Sequence, residues 1–388
     1  MRFWRMDFWT EKKNRPYRLI FFFVVLVLVS ELGVRLYFTQ SNLIDRNPGN
    51  TTAAMHYLLE QFSHATRPRI VFCGSSVTQG YGNCPDGKHF PALVAEKLRK
   101  IRAYRKASAY NLSSAGNRYG DHFANLVAVM PDEPDLVVTA IHIKMFSVHR
   151  SLIEPMSHPE GIYHFRNYPE YWKGGQNDLF ARFRMTDQKY REIYLDHKVA
   201  ALSGLYRYRR LLGYFTTGNF RYPAAASADR IMAWLGMMDP IMVEAADTTF
   251  VERNADYLWK VIPKHVIALQ YMHCEAFDFS EENVNWLTFK NYCEFGQRHG
   301  IRMLFFLNPV NKAFVDDKEF FDWDEVMPIF RQRTKALVRS YGHRFVDMTE
   351  RVDYRFYSDL DHLNMNGHEQ TARLILPHVK AALRSKKK

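Results

Sequence analysis

Two segments near opposite ends of the chain hold residue types that could do covalent chemistry together. Gly74-Ser75-Ser76-Val77-Thr78-Gln79-Gly80 follows the apolar run Ile70-Val71-Phe72-Cys73. It reads as a strand, a tight turn that presents a hydroxyl, and the start of a helix. Asp359-Leu360-Asp361-His362-Leu363-Asn364-Met365-Asn366-Gly367-His368 offers an acid three residues before a histidine. A serine hydroxyl is a weak nucleophile until a base removes its proton. An imidazole does this near neutral pH when a carboxylate fixes its tautomer and stabilises the imidazolium. Ser76, His362 and Asp359 are therefore the candidate nucleophile, base and orienter, and acyl-ester chemistry is the leading expectation. The bland alternatives are a turn serine and a surface Asp–His pair. Asp361 competes with Asp359 for the orienting role.

The flanking sequence must position these groups. Strands are expected at Arg69 to Cys73, Ala107 to Leu112, Leu136 to Ile141, Ile301 to Leu307 and Arg344 to Met348. Helices are expected between them, at Phe90 to Leu98, Asp121 to Met130, Glu282 to His299, Glu325 to Tyr341 and Gly367 to Leu383, the last kinked at Pro377. Near-continuous apolar strands alternating with helices imply a parallel sheet covered on both faces, an α/β fold. In such sheets, sites gather at the C-terminal ends of strands, where Ser76 falls. Residues 147–280 break the rhythm and read as a mostly helical insert, with helices at Tyr190 to Leu212 and Ala228 to Met238. Within it, Tyr206-Arg207-Tyr208-Arg209-Arg210 reads as a solvated helix face.

Residues 1–18 form a basic leader and 19–39 an apolar run long enough to span a bilayer. Glu31 and Arg35 interrupt that run four residues apart, where they can pair. Basic residues before the run place the N-terminus in the cytoplasm and everything after it outside. A cleaved signal peptide and a buried core helix are the alternatives, but no small-x-small cleavage site follows. Residues 40–67 read as a membrane-proximal connector with one amphipathic helix near Ala53 to Phe62, and 68–388 as the catalytic-type domain. The net charge of +12 suits an anionic surface or polymer. An exported chain without a recognisable nucleic-acid motif argues against nucleic acid as partner. Cys73, Cys84, Cys274 and Cys293 permit disulfides without demanding them, and no spacing suggests a metal site.

On the two end motifs, the chain resembles the SGNH hydrolase superfamily, also called GDSL-like esterases. The family's first block, Gly-Asp-Ser-x-Thr-x-Gly, is similar to Gly74 through Gly80, with Ser75 in place of Asp. Asn111-Leu112-Ser113-Ser114-Ala115-Gly116 is similar to its second block, and the segment from Asp359 to His368 to its last. The resemblance implies a flavodoxin-like three-layer α/β/α fold on a five-stranded parallel sheet, an N-terminal transmembrane helix being added here. It implies a Ser76–His362–Asp359 triad and an oxyanion hole made by the backbone N–H groups of Ser76 and Gly116. It implies no cofactor. One block departs: where the family carries an oxyanion-binding Asn after strand three, this chain has Lys144. Lys144, His142 and Asn117 are the candidate replacements. His142 otherwise reads as structural, Lys144 as a solvated loop charge and His368 as a surface residue at a helix start.

The stretch Leu307-Asn308-Pro309-Val310-Asn311-Lys312 is similar to one in membrane-anchored SGNH proteins of cell-envelope acylation. These include the D-alanyl-transfer protein of lipoteichoic acid modification and the alginate and peptidoglycan O-acetylation proteins. That resemblance implies an acylated cell-surface glycan or other acyl ester as substrate, the bilayer as a partner through residues 19–39, and a multi-spanning membrane O-acyltransferase beside it. The expectation is thus a membrane-anchored, extracytoplasmic serine esterase or O-acyltransferase. A catalytically silent domain that binds glycan or scaffolds an acyltransferase is one alternative. A membrane lipase is another.

Overall fold

In a computed structural model of the chain, the described residues are 15–40, 44–46, 52–80, 84–85, 87–148, 156–171, 185–208, 256–261 and 276–384. The leader up to residue 14, the expected helix at Ala228 to Met238, and Cys274 lie outside them.

Five parallel strands form one sheet in the order β2-β1-β3-β4-β5: β1 Arg69–Cys73, β2 Ser108–Asn111, β3 Leu136–Ile141, β4 Met303–Leu307 and β5 Arg344–Asp347. This is the flavodoxin-like order, and all five expected strands are present. β1, β3 and β4 are continuously apolar because both faces of the sheet are covered. On one face, Ile70, Phe72, Val138 and Phe306 pack against α4 (Phe90–Arg99) and α10 (Met365–Arg384). Phe90 meets Phe72 and Phe306 edge-on, with centroids 6.0 Å and 5.8 Å apart. On the other face, Val71, Cys73, Val137 and Phe305 pack against α2 (Thr52–Ser63), α5 (Tyr119–Val129), α7 (Val284–Arg298) and α9 (Trp323–Ser340). Each buried ring contributes about 1.5–3 kcal/mol. The layers are therefore α/β/α.

Helix ends follow local chemistry. His89 and Asn283 cap α4 and α7 with their side chains. α7 closes at Gly300, where Ile301 N donates to Gly296 O (2.8 Å) and Gly300 N to Gln297 O (3.0 Å). α10 is helical on both sides of Pro377.

The N-terminal helix α1 spans Arg15–Gln40, and Pro16–Phe38 within it is long and apolar enough to cross a membrane. Its last turns dock onto the domain. Phe38 is buried and stacks on Tyr208 (4.4 Å), and its carbonyl accepts from Gln61 Nε2 (2.7 Å). In α2, Tyr57, Leu58 and Phe62 are fully buried, so this connector helix belongs to the core. From the insert, α6 (Asp187–Leu202) and the helical residues 204–208 are described. The described part of the run from Tyr206, residues 206–208, is not a solvated face: Tyr208 is buried against Phe38, and Arg207 pairs with Glu60 at 2.6 Å. Apolar contact with α1 and pairing with the half-buried Glu60 outweigh the polarity of its composition. Cys73, Cys84 and Cys293 are buried.

Candidate active site

The site begins with the turn after β1. α3 (Ser76–Gln79) is one turn long and starts at Ser76, directly beyond the strand. The chain folds back so tightly that a Cβ on Gly74 would lie 2.5 Å from Thr78 Cβ, which is why glycine stands there. Gly80 ends the turn in the left-handed region at φ 73°. Two outside side chains hold it. Asn111 Nδ2 donates to Thr78 O (2.8 Å) from the end of β2. Arg46 donates to Gln79 O (2.8 Å), Gly80 O (2.9 Å) and Cys84 O (2.8 Å). Thus Ser76 stands half-buried at the start of a turn whose carbonyls are pinned from behind.

The loop after β5 brings the second group. His362 Nε2 lies 2.8 Å from Ser76 Oγ, and His362 Nδ1 lies 2.7 Å from Asp359 Oδ2. The other Asp359 oxygen accepts from the backbone N–H of Asp361 (2.9 Å) and His362 (2.8 Å). Three residues of spacing allow the acid to cap its own loop and face the imidazole together. Ser358 N donates to His362 O (2.8 Å), which closes the loop. Asn311 braces it: its N–H donates to Leu360 O (2.8 Å) and its Nδ2 to Asp359 O (3.3 Å). That bracing is what the Asn in Pro309-Val310-Asn311 does.

Charge follows the geometry. Burial works against an imidazolium at His362, but the carboxylates of Asp359 and then Asp361 outweigh it and raise its pKa above 6.5. Burial opposes charge on Asp359 as well, and His362 beside it holds that carboxyl below 3.8.

The structure also shows where the candidate oxyanion donors sit. Gly116 follows β2 with φ 78°, and its carbonyl accepts from Ser157 Oγ (2.6 Å). Buried Asp121 ties this loop to the insert, accepting from Arg118 N (2.8 Å), Ser157 N (2.8 Å) and His158 N (2.9 Å). Asn117 is buried, and its side-chain amide has no hydrogen-bond partner among the described residues. His142 and Lys144 behave differently. His142 Nδ1 accepts from Lys144 N (3.1 Å), and Nε2 bonds Asp361. With both ring nitrogens engaged, His142 drops out as a donor. Lys144 is not a solvated charge. It is buried, with Nζ 2.9 Å from Asp361 Oδ1. Burial opposes charge on Asp361, yet Lys144 and His142 hold it well below 3.8.

Sequence reasoning missed the part Asp361 plays. It lies 3.4 Å from His362 Nδ1, farther than Asp359, and serves Lys144 and His142 first. Only its place beside His362 hinted at this. It missed Arg46 entirely, since a lone arginine in a connector carries no signal. His368 is likewise not a surface residue. It is buried against Phe90 with rings stacked at 6.1 Å, and burial pushes its pKa down to about 3. Asp359, Asp361 and His362 offer ligand atoms within 4.8 Å of one another, but the Lys144 ammonium already supplies the positive charge there.

No protein-family model matches the sequence, and no curated protein does. Among solved structures the chain is similar to an alpha/beta hydrolase enzyme from the metagenome of Lake Arreo, Spain, at 12% identity and TM-score 0.36, over 84% of this chain and 100% of that one. It is similar to a catalytic mutant of an acetylxylan esterase from Geobacillus stearothermophilus, at 12% identity and TM-score 0.37, over 83% and 99%. It is also similar to a carbohydrate acetylesterase family member from Sinorhizobium meliloti, at 13% identity and TM-score 0.32, over 81% and 99%. At such low scores these likenesses carry no weight beside the sheet order and the site geometry.

Proposed function

We propose that the protein is an SGNH-type serine esterase or O-acyltransferase, anchored in a membrane by α1 with its catalytic domain outside the cytoplasm. The observation that carries the reading is the unbroken chain from Ser76 Oγ to His362 Nε2 (2.8 Å) and from His362 Nδ1 to Asp359 Oδ2 (2.7 Å). Ser76 Oγ attacks the acyl carbonyl carbon while its proton passes to His362 Nε2, and Asp359 stabilises the imidazolium. The carbonyl oxygen becomes an oxyanion, received by the backbone N–H groups of Ser76 and Gly116 and by the unpartnered Asn117 amide. Collapse expels the alcohol, which takes the proton from His362, and leaves the acyl group on Ser76. Water then completes hydrolysis, or a glycan hydroxyl completes transfer. The anchor and the resemblance to envelope-acylation proteins favour a cell-surface polysaccharide ester as substrate and a membrane O-acyltransferase as neighbour.

The test is a fluorophosphonate probe, which reacts with an activated serine, followed by peptide mapping. The reading requires an adduct on Ser76 that disappears in His362→Ala. A folded protein that never labels would sink it.

One observation favours a second reading. Lys144 stands where the family's oxyanion Asn is expected, and it is bound to Asp361. A hole with two backbone donors alone would suit a silent domain that scaffolds an acyltransferase. In that case Ser76→Ala leaves cellular acylation intact.

A further inference from the structure

The grip of the insert on α1 fixes how deep the domain sits. Glu31 accepts from Ser203 Oγ (3.0 Å) and Leu205 N (3.0 Å), bonds Gly204 N, and pairs with Arg35 at 2.6 Å. Arg35 in turn bonds the carbonyl of Leu202, the last residue of α6. A Cβ on Gly204 would lie 2.6 Å from Arg35 Cγ, so the backbone there lies directly against the Arg35 side chain.

Upstream of this grip, residues from Pro16 to Val29 touch little protein. That exposed stretch is about 14 residues, or about 21 Å at 1.5 Å per residue. A hydrocarbon core of about 30 Å takes about 20 residues. The apolar run cannot lengthen toward the N-terminus, because Lys12, Lys13 and Arg15 precede it. The missing turns are therefore those that carry Glu31, Leu32 and Leu36. Leu32 and Leu36 are 59% and 49% exposed on the sides that the insert leaves free.

The end of α6 must then share their depth, and its exposed side is suited to it. Leu195, Val199 and Leu202 follow helical spacing and are 59%, 42% and 79% exposed. Arg191 and Lys198 are exposed on the same side. An apolar stripe flanked by cations is the pattern of a helix lying in a membrane interface. We infer that the C-terminal half of α6 inserts into the lipid bilayer beside α1, so that the domain rests on the membrane at two points instead of swinging on one. The inference rests on the proposed anchoring by α1.

The test uses the full chain in vesicles of phosphatidylcholine and phosphatidylglycerol. Cys274→Ser removes the one cysteine outside the described residues, and the other three are buried. Single cysteines at Leu195→Cys, Val199→Cys, Leu202→Cys, Val25→Cys in α1 and Gln188→Cys in the first turn of α6 are labelled with an environment-sensitive fluorophore. Lipids carrying a nitroxide on the acyl chain are the quencher. The expected result is blue-shifted emission and strong quenching at 25, 195, 199 and 202, with Gln188→Cys unquenched by lipid and open to iodide. Quenching at 25 with iodide access at 195, 199 and 202 would overturn the α6 inference and leave the anchor standing. Absence of lipid quenching at 25 would overturn both.

Discussion

The Lys144 ammonium lies 2.9 Å from the Asp361 carboxylate, both are buried, and Asp361 directly precedes His362, whose imidazole faces Ser76. Asp361 raises the pKa of His362 and Lys144 lowers it. The pair is thus an electrostatic setting on the candidate base.

Asp361→Asn removes the raising charge and keeps the lowering one. The acid limb of kcat/KM should move to lower pH, and Lys144→Met should move it the other way. Asp361→Asn also takes the carboxylate away from the buried Lys144 ammonium, at a cost of up to about 3–5 kcal/mol. A pH–rate series on an activated acetyl ester, with thermal melts of the same variants, checks both. Shifts in one common direction would refute the assignment.

In the unaltered protein, activity needs neutral His362. Since its pKa is raised, kcat/KM should fall with acid through a midpoint above the usual value of about 6.5. A midpoint below that value would mean that another group limits the rate.

Ser76→Ala and His362→Ala should each lower turnover roughly 10⁴–10⁶-fold. Asn117→Ala should lower kcat by about 10²–10³ with KM little changed, as loss of one oxyanion donor does. Steady-state kinetics separate the two effects. An Asn117→Ala enzyme with unaltered kcat would leave the hole to backbone donors alone.

Acid should also destabilise the fold before the carboxylates titrate. Burial pushes His122 and His368 down to about 3. The unfolded chain takes their protons near pH 6.5 and the folded one refuses them, so stability falls as pH drops through that window. Each group costs up to about 1.4 kcal/mol per pH unit. His362 works in the opposite sense: its raised pKa gives stability present below pH 6.5 and lost as pH rises through its folded value. The net expectation is a melting temperature lower at pH 5 than at pH 7. His368→Leu should show a shallower slope.

Gly74→Ala should cost about 1–3 kcal/mol and reduce labelling of Ser76, because the new Cβ meets Thr78 Cβ at 2.5 Å. Adding Thr78→Gly should restore part of both. Full labelling of Gly74→Ala alone would show that the turn gives way more easily than its packing implies.

Much of this molecule was legible in one dimension. β1, β3 and β4 are short, mostly apolar runs between turn residues, so composition alone marks them. Ser76, Asp359 and His362 stand in segments whose spacing suits a strand–turn–helix and a self-capped loop, both local devices. α1 is legible because an apolar run of that length has few other uses.

The rest was decided by contacts that sequence distance hides. The strand order, and with it the meeting of the β1 turn with the loop after β5, depends on how the helices cover the sheet. Burial of His368, Lys144 and Tyr208 reverses what their polarity suggests, because Phe90, Asp361 and Phe38 compensate them from remote parts of the chain. Arg46 reads as nothing until the carbonyls of Gln79, Gly80 and Cys84 are beside it. Local residue types set what each segment could do, since backbone geometry and side-chain chemistry are local. Which charges are paired, which polar groups are dry and how deeply the insert holds α1 are properties of packing, and only the tertiary structure decides them.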